Sequence, residues 1–192
     1  VSGVFDMKLR NGNNRRVENT IQIGLLGMDF ASEGPLTKKH NSSYIFNYRY
    51  STTGILEKAG IVDFGGILDY QDLNFKFNIP TRKAGTFSVW GTGLLDKSES
   101  EFEKNPEEWE YLGEQMESET SQYMVAGGIS HSYFFNDNTR LKTIVAATYF
   151  RHKGFVDFYD FDLNKYPNLD LVRNNTNLIF SAILNRKFSA KF

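Results

Sequence analysis

The feature of this sequence that leaves the fewest folds open is a strict alternation of apolar and polar side chains. Between residues 73 and 79 the odd positions are all apolar, while Asn74, Lys76 and Asn78 separate them. The same period of two runs through residues 43–50 and, for thirteen residues, through 123–135. A period of two places alternate residues on opposite faces of a β-strand. The sequence therefore predicts long strands that each have one apolar face.

The alternation divides the chain into one short strand and eight long ones. The short strand is Val4–Arg10, and the turn at residues 11–14 ends it, because Asn and Gly both tolerate positive φ. The predicted long strands are 17–23, 28–36, 43–50, 73–79, 87–95, 123–135, 141–149 and 178–184. No segment has the pattern of a long amphipathic helix, and the charged stretch Glu101–Ser118 is expected to hold one or two helical turns.

The predicted connections alternate in length. Short polar turns lie at 37–41, 81–85 and 136–139, and longer segments lie at about 52–66, 97–118 and 152–170. Short turns on one side and long loops on the other are typical of an up-and-down transmembrane barrel. Strands of ten or more residues also match the length of about 9–11 residues that a tilted strand needs to cross a bilayer. The pattern favours a membrane barrel over a soluble β-sandwich.

Composition supports the same choice and excludes other classes. The chain has 192 residues, no cysteine and a net charge of -1, so a disulfide framework or a thiolate metal site is excluded and a nucleic-acid partner is not expected. Aromatic residues make up 15% of an otherwise polar chain. Such rings fit the lipid face or the interfacial girdles of a barrel, or the core of a sandwich.

Four segments carry a resemblance to a known family. Ser2–Arg10 looks like the last strand of a plug domain, and Thr20–Gly27 like a first barrel strand with its tight extracellular turn. Ala31–Leu36 looks like the second strand, and Asn78–Gly85 like a periplasmic turn. In these segments the chain resembles TonB-dependent outer-membrane receptors, in particular those of Bacteroidetes.

The resemblance implies a partial transmembrane β-barrel, all-β with antiparallel up-and-down strands. Residues 1–14 would end the plug, and residues 15–192 would form about eight of the family's 22 strands. The implied function is active uptake of a siderophore, cobalamin, glycan or peptide across the outer membrane, without catalysis or a cofactor. The implied partners are outer-membrane lipid, the TonB complex through the missing part of the plug, and a surface lipoprotein.

Candidate ligand-binding residues are the aromatic rings of the predicted extracellular loops. They are Phe102, Trp109, Tyr111, Phe158 and Tyr159, with Phe155, Phe161 and Tyr166 nearby. Such rings can stack on a sugar, a catechol or a partner protein, or they can pack the loops against one another. The polar residues Asn47, Arg49, Asn74 and Lys76 are expected either to pack on the plug or to line the substrate path.

The other polar clusters predict no catalytic or metal site. His40, His131 and His152 are too scattered to share a metal, and the acidic run from Glu99 to Glu119 has the pattern of a solvated loop. Two alternative functions stay open. One is a complete eight-stranded barrel with a structural or adhesive role, suggested by the aromatic Phe192 after an alternating strand. The other is a soluble β-sandwich that binds carbohydrate.

Overall fold

The structure, a computed structural model, describes residues 8–37, 41–61 and 67–188. These residues form eight strands, one short α-helix and two 3-10 helices. The elements are β1 (Glu18–Gly24), β2 (Gly27–Pro35), β3 (Ser43–Ser51), α1 (Thr53–Lys58), β4 (Ile67–Pro80), β5 (Thr86–Ser100), 3-10 helices at Pro106–Glu108 and Leu112–Gln115, β6 (Met116–Asn136), β7 (Thr139–Tyr159) and β8 (Lys165–Arg186).

The eight strands form one antiparallel sheet in which sequence order is also spatial order, β1 to β8. The predicted all-β, up-and-down architecture is confirmed. The ends of β2, β4 and β6 and the starts of β3, β5 and β7 lie at one end of the sheet, which we call the turn end. The ends of β1, β3, β5 and β7 and the starts of β2, β4, β6 and β8 lie at the other, the loop end. Among the described residues β1 pairs only with β2 and β8 only with β7, so the sheet has two open edges.

Two neighbouring rows of the register, near the middle of the sheet, separate mainly apolar from mainly polar residues across all eight strands. One row reads Ile21, Phe30, Tyr48, Leu73, Gly93, Val125, Tyr149, Thr176. The next reads Thr20, Ala31, Asn47, Asn74, Thr92, Ala126, Thr148, Asn177. Because neighbouring rows point to opposite faces, the sheet has an apolar face and a polar face.

The apolar face is uncovered. Ala146 is the only buried apolar residue in the described part of the chain, whereas Val145 is 59% exposed, Phe180 72% and Leu178 85%. Monomeric soluble proteins rarely leave an apolar patch of this extent open to water. On β7 the apolar rows run from Leu141 to Tyr149, which we call the apolar band, and beyond it the same face carries Arg151 and Lys153.

Three strands extend much further toward the loop end than the sequence predicts. The predicted loop 152–170 is wrong, because β7 and β8 stay paired from Phe155 opposite Asp170 to Tyr159 opposite Lys165, with one irregularity after Val156. Only residues 160–164 connect these two strands. The alternation stops near residue 150, yet backbone pairing does not require it. β6 likewise begins at Met116 rather than near residue 123.

The segment before β1 also differs from the prediction. Residues 8–10, the described part of the predicted strand Val4–Arg10, are not in a strand, and the rest of that prediction lies outside the described residues. The one or two helical turns expected in Glu101–Ser118 are present as the two short 3-10 helices.

None of the helices among the described residues has the length and apolar character needed to span a membrane.

Candidate functional site

Two connections meet at the loop end and pack on each other through aromatic rings. Phe102 stacks on Tyr159 with ring centroids 3.7 Å apart and ring planes at 11°. Trp109 lies 5.2 Å from Phe161, again between centroids. The 101–115 connection therefore folds over the tip of the β7–β8 hairpin. We call residues 101–115 together with this tip, residues 157–166, the loop cap.

The sequence of the 101–115 connection specifies its own turns. The side chain of Asn105 accepts a hydrogen bond from the Glu107 amide (3.2 Å), and Pro106 occupies the first position of the 3-10 helix, where its missing N–H costs nothing. The indole Nε1 of Trp109 donates to the carbonyl oxygen of Glu103 (2.7 Å). With the indole N–H held by this hydrogen bond, the ring of Trp109 faces the hairpin tip.

An ion cluster fixes Tyr159 beneath Phe102. Lys165 Nζ lies 2.8 Å from Glu117 Oε2 and 2.8 Å from Asp157 Oδ2, and 5.6 Å from the centroid of the Tyr159 ring. The Tyr159 hydroxyl donates to Glu117 Oε2 (2.8 Å). The hydrogen bond from Lys165 holds the pKa of Glu117 below its usual value, and Asp157 together with Glu117 raises the pKa of Lys165. Lys165 and Glu117 are therefore both charged at neutral pH.

The hairpin tip is closed around Asp160. Its carboxylate accepts hydrogen bonds from the amides of Asp162 and Asn164 (both 2.9 Å) and from the hydroxyl of Tyr166 (3.0 Å). The Asn164 amide, above all, lowers the pKa of Asp160. Leu163 takes a φ of 60°, in the left-handed region, to complete the turn. The tip is thus ordered by its own side chains.

The five predicted site residues divide into three groups. Phe102, Trp109 and Tyr159 pack within the loop cap, as the loop-packing interpretation predicts. Tyr111 is 66% exposed, and its ring is open to a ligand. Phe158 lies opposite Met116 and points to the other face of β7 from Tyr159. The exposed rings of the cap are therefore Tyr111 and Phe161, the latter 72% exposed, with Tyr166 at its edge.

The polar residues of β3 and β4 contact side chains of neighbouring strands and, in one case, the chain before β1. Asn47 donates to both carboxylate oxygens of Asp29 (3.0 Å each), and Arg49 pairs with Asp72 at 2.7 Å. Asn74 accepts from Thr92 (2.7 Å). Lys76 instead contacts the chain before β1.

Residues 9–13, which we call the anchored segment, lie on the polar face. Lys76 Nζ donates to the carbonyl oxygen of Leu9 (2.7 Å). The carboxylate of Glu33 accepts two hydrogen bonds from Arg10 (2.6 and 2.7 Å) and one from the amide of Asn13 (2.7 Å). Gly12 lies so near β3 that a Cβ there would fall 1.8 Å from the Tyr44 carbonyl oxygen. Glu33 was not among the predicted site residues, because no local sequence pattern links it to Arg10, 23 positions away.

The described histidines serve the structure. His131 stacks on Phe87 (4.3 Å between centroids) with Nε2 2.5 Å from the Ala84 carbonyl oxygen, and His152 stacks beside Phe150. Within residues 8–37, 41–61 and 67–188, no three His, Asp or Glu side chains are placed to hold a metal ion. His40 lies outside these residues.

Comparison of the chain with models of protein families, with curated proteins and with solved structures gave no match. The function must therefore be argued from the sheet, its two faces and the loop cap.

Proposed function

We propose that this chain forms part of the barrel wall of a TonB-dependent outer-membrane transporter for a nutrient of the siderophore, cobalamin, glycan or peptide class. The apolar face would contact lipid and the polar face would line the interior. The observation that carries the proposal is an uncovered sheet whose two central rows, one mainly apolar and one mainly polar, cross all eight strands on opposite faces. Lipid-facing and interior-facing residues alternate in the same way in outer-membrane barrels.

The height of the apolar band supports a membrane environment. On β7 the band covers residues 141–149, and a tilted strand needs about 9–11 residues to cross the hydrocarbon layer. The charged residues Arg151 and Lys153 follow on the same face at once. The length of the band therefore matches the length that a transmembrane strand needs.

The open edges support a part of a larger barrel. A complete eight-stranded barrel needs β1 to pair with β8, and among the described residues these two strands have no common pairing. A soluble sandwich needs a second sheet over the apolar face, and the described strands all belong to one sheet. Further strands beyond β8 would instead satisfy its free backbone groups.

The anchored segment supports the presence of a plug. Chain that precedes β1 is held on the polar face by Glu33 and Lys76, which is the face that would surround a plug. We propose that transport uses this plug, with the TonB complex as the partner that moves it and a surface lipoprotein as a partner at the loop cap. The exposed rings of Tyr111 and Phe161 would stack on the nutrient, and no covalent chemistry is involved.

Site-directed spin labelling tests the orientation of the faces. The chain has no cysteine, so each variant carries a single thiol. Labels at Val145→Cys and Ala147→Cys should be accessible to oxygen dissolved in lipid, and labels at Ile144→Cys and Thr148→Cys to a water-soluble nickel complex. Equal access of the nickel complex at all four positions would refute the membrane assignment.

Uptake assays test the transport function. Deletion of the gene and deletion of TonB should give the same growth defect on one of the four nutrient classes. Tyr111→Ala should then weaken uptake about 5- to 150-fold, since stacking on an aromatic ring contributes about 1–3 kcal/mol. Leu112→Ala is the matched control, because Leu112 is the neighbouring exposed residue. A growth defect that is independent of TonB would contradict the proposal.

A further inference from the structure

A cavity of about 480 Å³ opens where the apolar band ends toward the loop end. Most of its lining residues belong to the apolar face, among them Tyr50, Leu95, Lys97, Tyr123, Arg151 and Lys153. Arg151 lies in one row of the register with Tyr50, Leu95 and Tyr123. Lys97 and Lys153 lie in the next row of this face toward the loop end. The cavity thus joins apolar side chains to three cations, with the carboxylates of Asp69 and Asp96 also in its lining.

Two of these cations are free to bind an anion. Arg151 and Lys153 are both exposed and alternate along β7, so their side chains leave the same face about 7 Å apart. Neither forms an ion pair within 4.0 Å among the described residues, and the nearest acidic residues in the register are Glu119 and Asp170, diagonal to Lys153 on the same face. Lys97 differs, because it pairs with Glu99 and, at 3.5 Å, with Glu119. The carboxylate of Asp69 also lines the cavity, but β5 and β6 lie between it and Lys153, a separation of about 14 Å.

We propose that Arg151 and Lys153 bind the phosphate of an anionic lipid headgroup whose acyl chains lie on the apolar band. The inference rests on the proposed function, since it requires lipid at the apolar face. A lipid phosphate matches both parts of the cavity, because its charge meets the two free cations while its chains continue onto Leu95 and the rows below. Tyrosine is also common at the level of lipid headgroups, where Tyr50 and Tyr123 would lie.

Lipid binding to the protein isolated from the outer membrane tests this site. Nanodiscs of phosphatidylcholine with added phosphatidylglycerol supply the probe, and native mass spectrometry measures the retained phosphatidylglycerol. The double variant R151Q/K153Q should bind this lipid about 30-fold more weakly, because each basic residue near an anionic surface contributes about fivefold. The charge-preserving variant R151K/K153R should keep the affinity.

Arg173→Gln is the matched control. Arg173 lies opposite His152 in the register, so it is at the same height but on the polar face. Its loss should leave phosphatidylglycerol binding unchanged. Equal affinity of R151Q/K153Q and the wild type, or an equal loss in Arg173→Gln, would overturn the proposed site.

Two further results separate this inference from its alternatives. Inorganic phosphate should not displace phosphatidylglycerol, and displacement would make the ligand a soluble anion and overturn the lipid assignment. If label accessibility alternates at residues 144–148 but R151Q/K153Q binds the lipid as the wild type does, the headgroup site is refuted and the proposed function stands. Absence of that alternation would refute the proposed function itself.

Discussion

Replacing Glu33 with Gln should release the anchored segment from the polar face. The carboxylate of Glu33 accepts from both terminal nitrogens of Arg10 and from the amide of Asn13, at 2.6–2.7 Å. Gln keeps the size of the side chain but removes its charge, and it can offer only one oxygen to three donors. The strand itself should stay in place, because the backbone pairing of Glu33 with Glu18 and Ile45 is untouched.

The size of the effect follows from how exposed the pair is. The side chain of Glu33 is 15% exposed and that of Arg10 is 64% exposed. Hydrogen bonds to charged groups contribute about 1.5–3 kcal/mol when shielded from water, and exposed ion pairs contribute about 0.2–1 kcal/mol. We therefore expect the free energy that holds the segment on the sheet to fall by an intermediate amount, about 1–2 kcal/mol. This corresponds to a population of the released segment that is about 5- to 30-fold larger.

Amide hydrogen exchange measures this population directly. A peptide covering residues 8–16 should exchange about 5- to 30-fold faster in Glu33→Gln than in the wild type. Glu18→Gln is the control, because Glu18 lies opposite Glu33 but pairs with Arg16. Unchanged exchange in Glu33→Gln, or the same acceleration in Glu18→Gln, would show that Glu33 does not hold the segment.

Three other perturbations test the band, the packing of β6 and the loop cap. Val145→Lys, at the centre of the band, should destabilise the lipid-inserted protein by about 2–4 kcal/mol in urea unfolding, whereas Thr148→Lys on the polar face should have little effect; equal losses would contradict the orientation. Gly128→Ala should cost about 1–3 kcal/mol because its Cβ would lie 2.6 Å from the Val145 carbonyl oxygen, while at Gly93, where the nearest atom is 3.8 Å away, alanine should be tolerated. Lys165 lowers the pKa of Glu117, so the ion cluster of the loop cap is complete above about pH 4.3 and should be lost as the pH falls through the lowered pKa. Amide exchange in residues 101–115 should therefore become faster only at strongly acidic pH. Faster exchange that already begins near pH 6 would contradict this assignment.

The alternation of side chains was sufficient to predict all eight strands within the apolar band. It fails toward the loop end, where apolar residues occur on both faces of β7, with Phe155 on the apolar face and Val156 and Phe158 on the polar face. Because both faces there carry apolar residues, the sequence shows no alternation of period two. The backbone hydrogen bonds that continue the strands do not depend on residue type, so the sequence does not reveal them.

The contacts of the candidate site were beyond prediction for a different reason. The alternation placed both Phe102 and Tyr159 in predicted loops, which is correct for Phe102 but wrong for Tyr159, the last residue of β7. Their stacking joins residues that are 57 positions apart and that meet at one end of the sheet. The ion pair between Arg10 and Glu33 likewise depends on the chain before β1 returning across β2. Contacts of this kind depend on the register in which the strands pair, and that register is seen only in the folded sheet.

The connectivity of the sheet also sets the order in which it can form. Each described strand pairs only with its neighbours in sequence, so every pairing closes a local loop and the sheet can grow by one hairpin at a time. The strands lengthen from seven residues in β1 to 22 in β8, and none is shorter than the strand before it. Growth in this direction leaves the longest free edge at β8, and the folding intermediate most prone to aggregation is therefore the one that ends there.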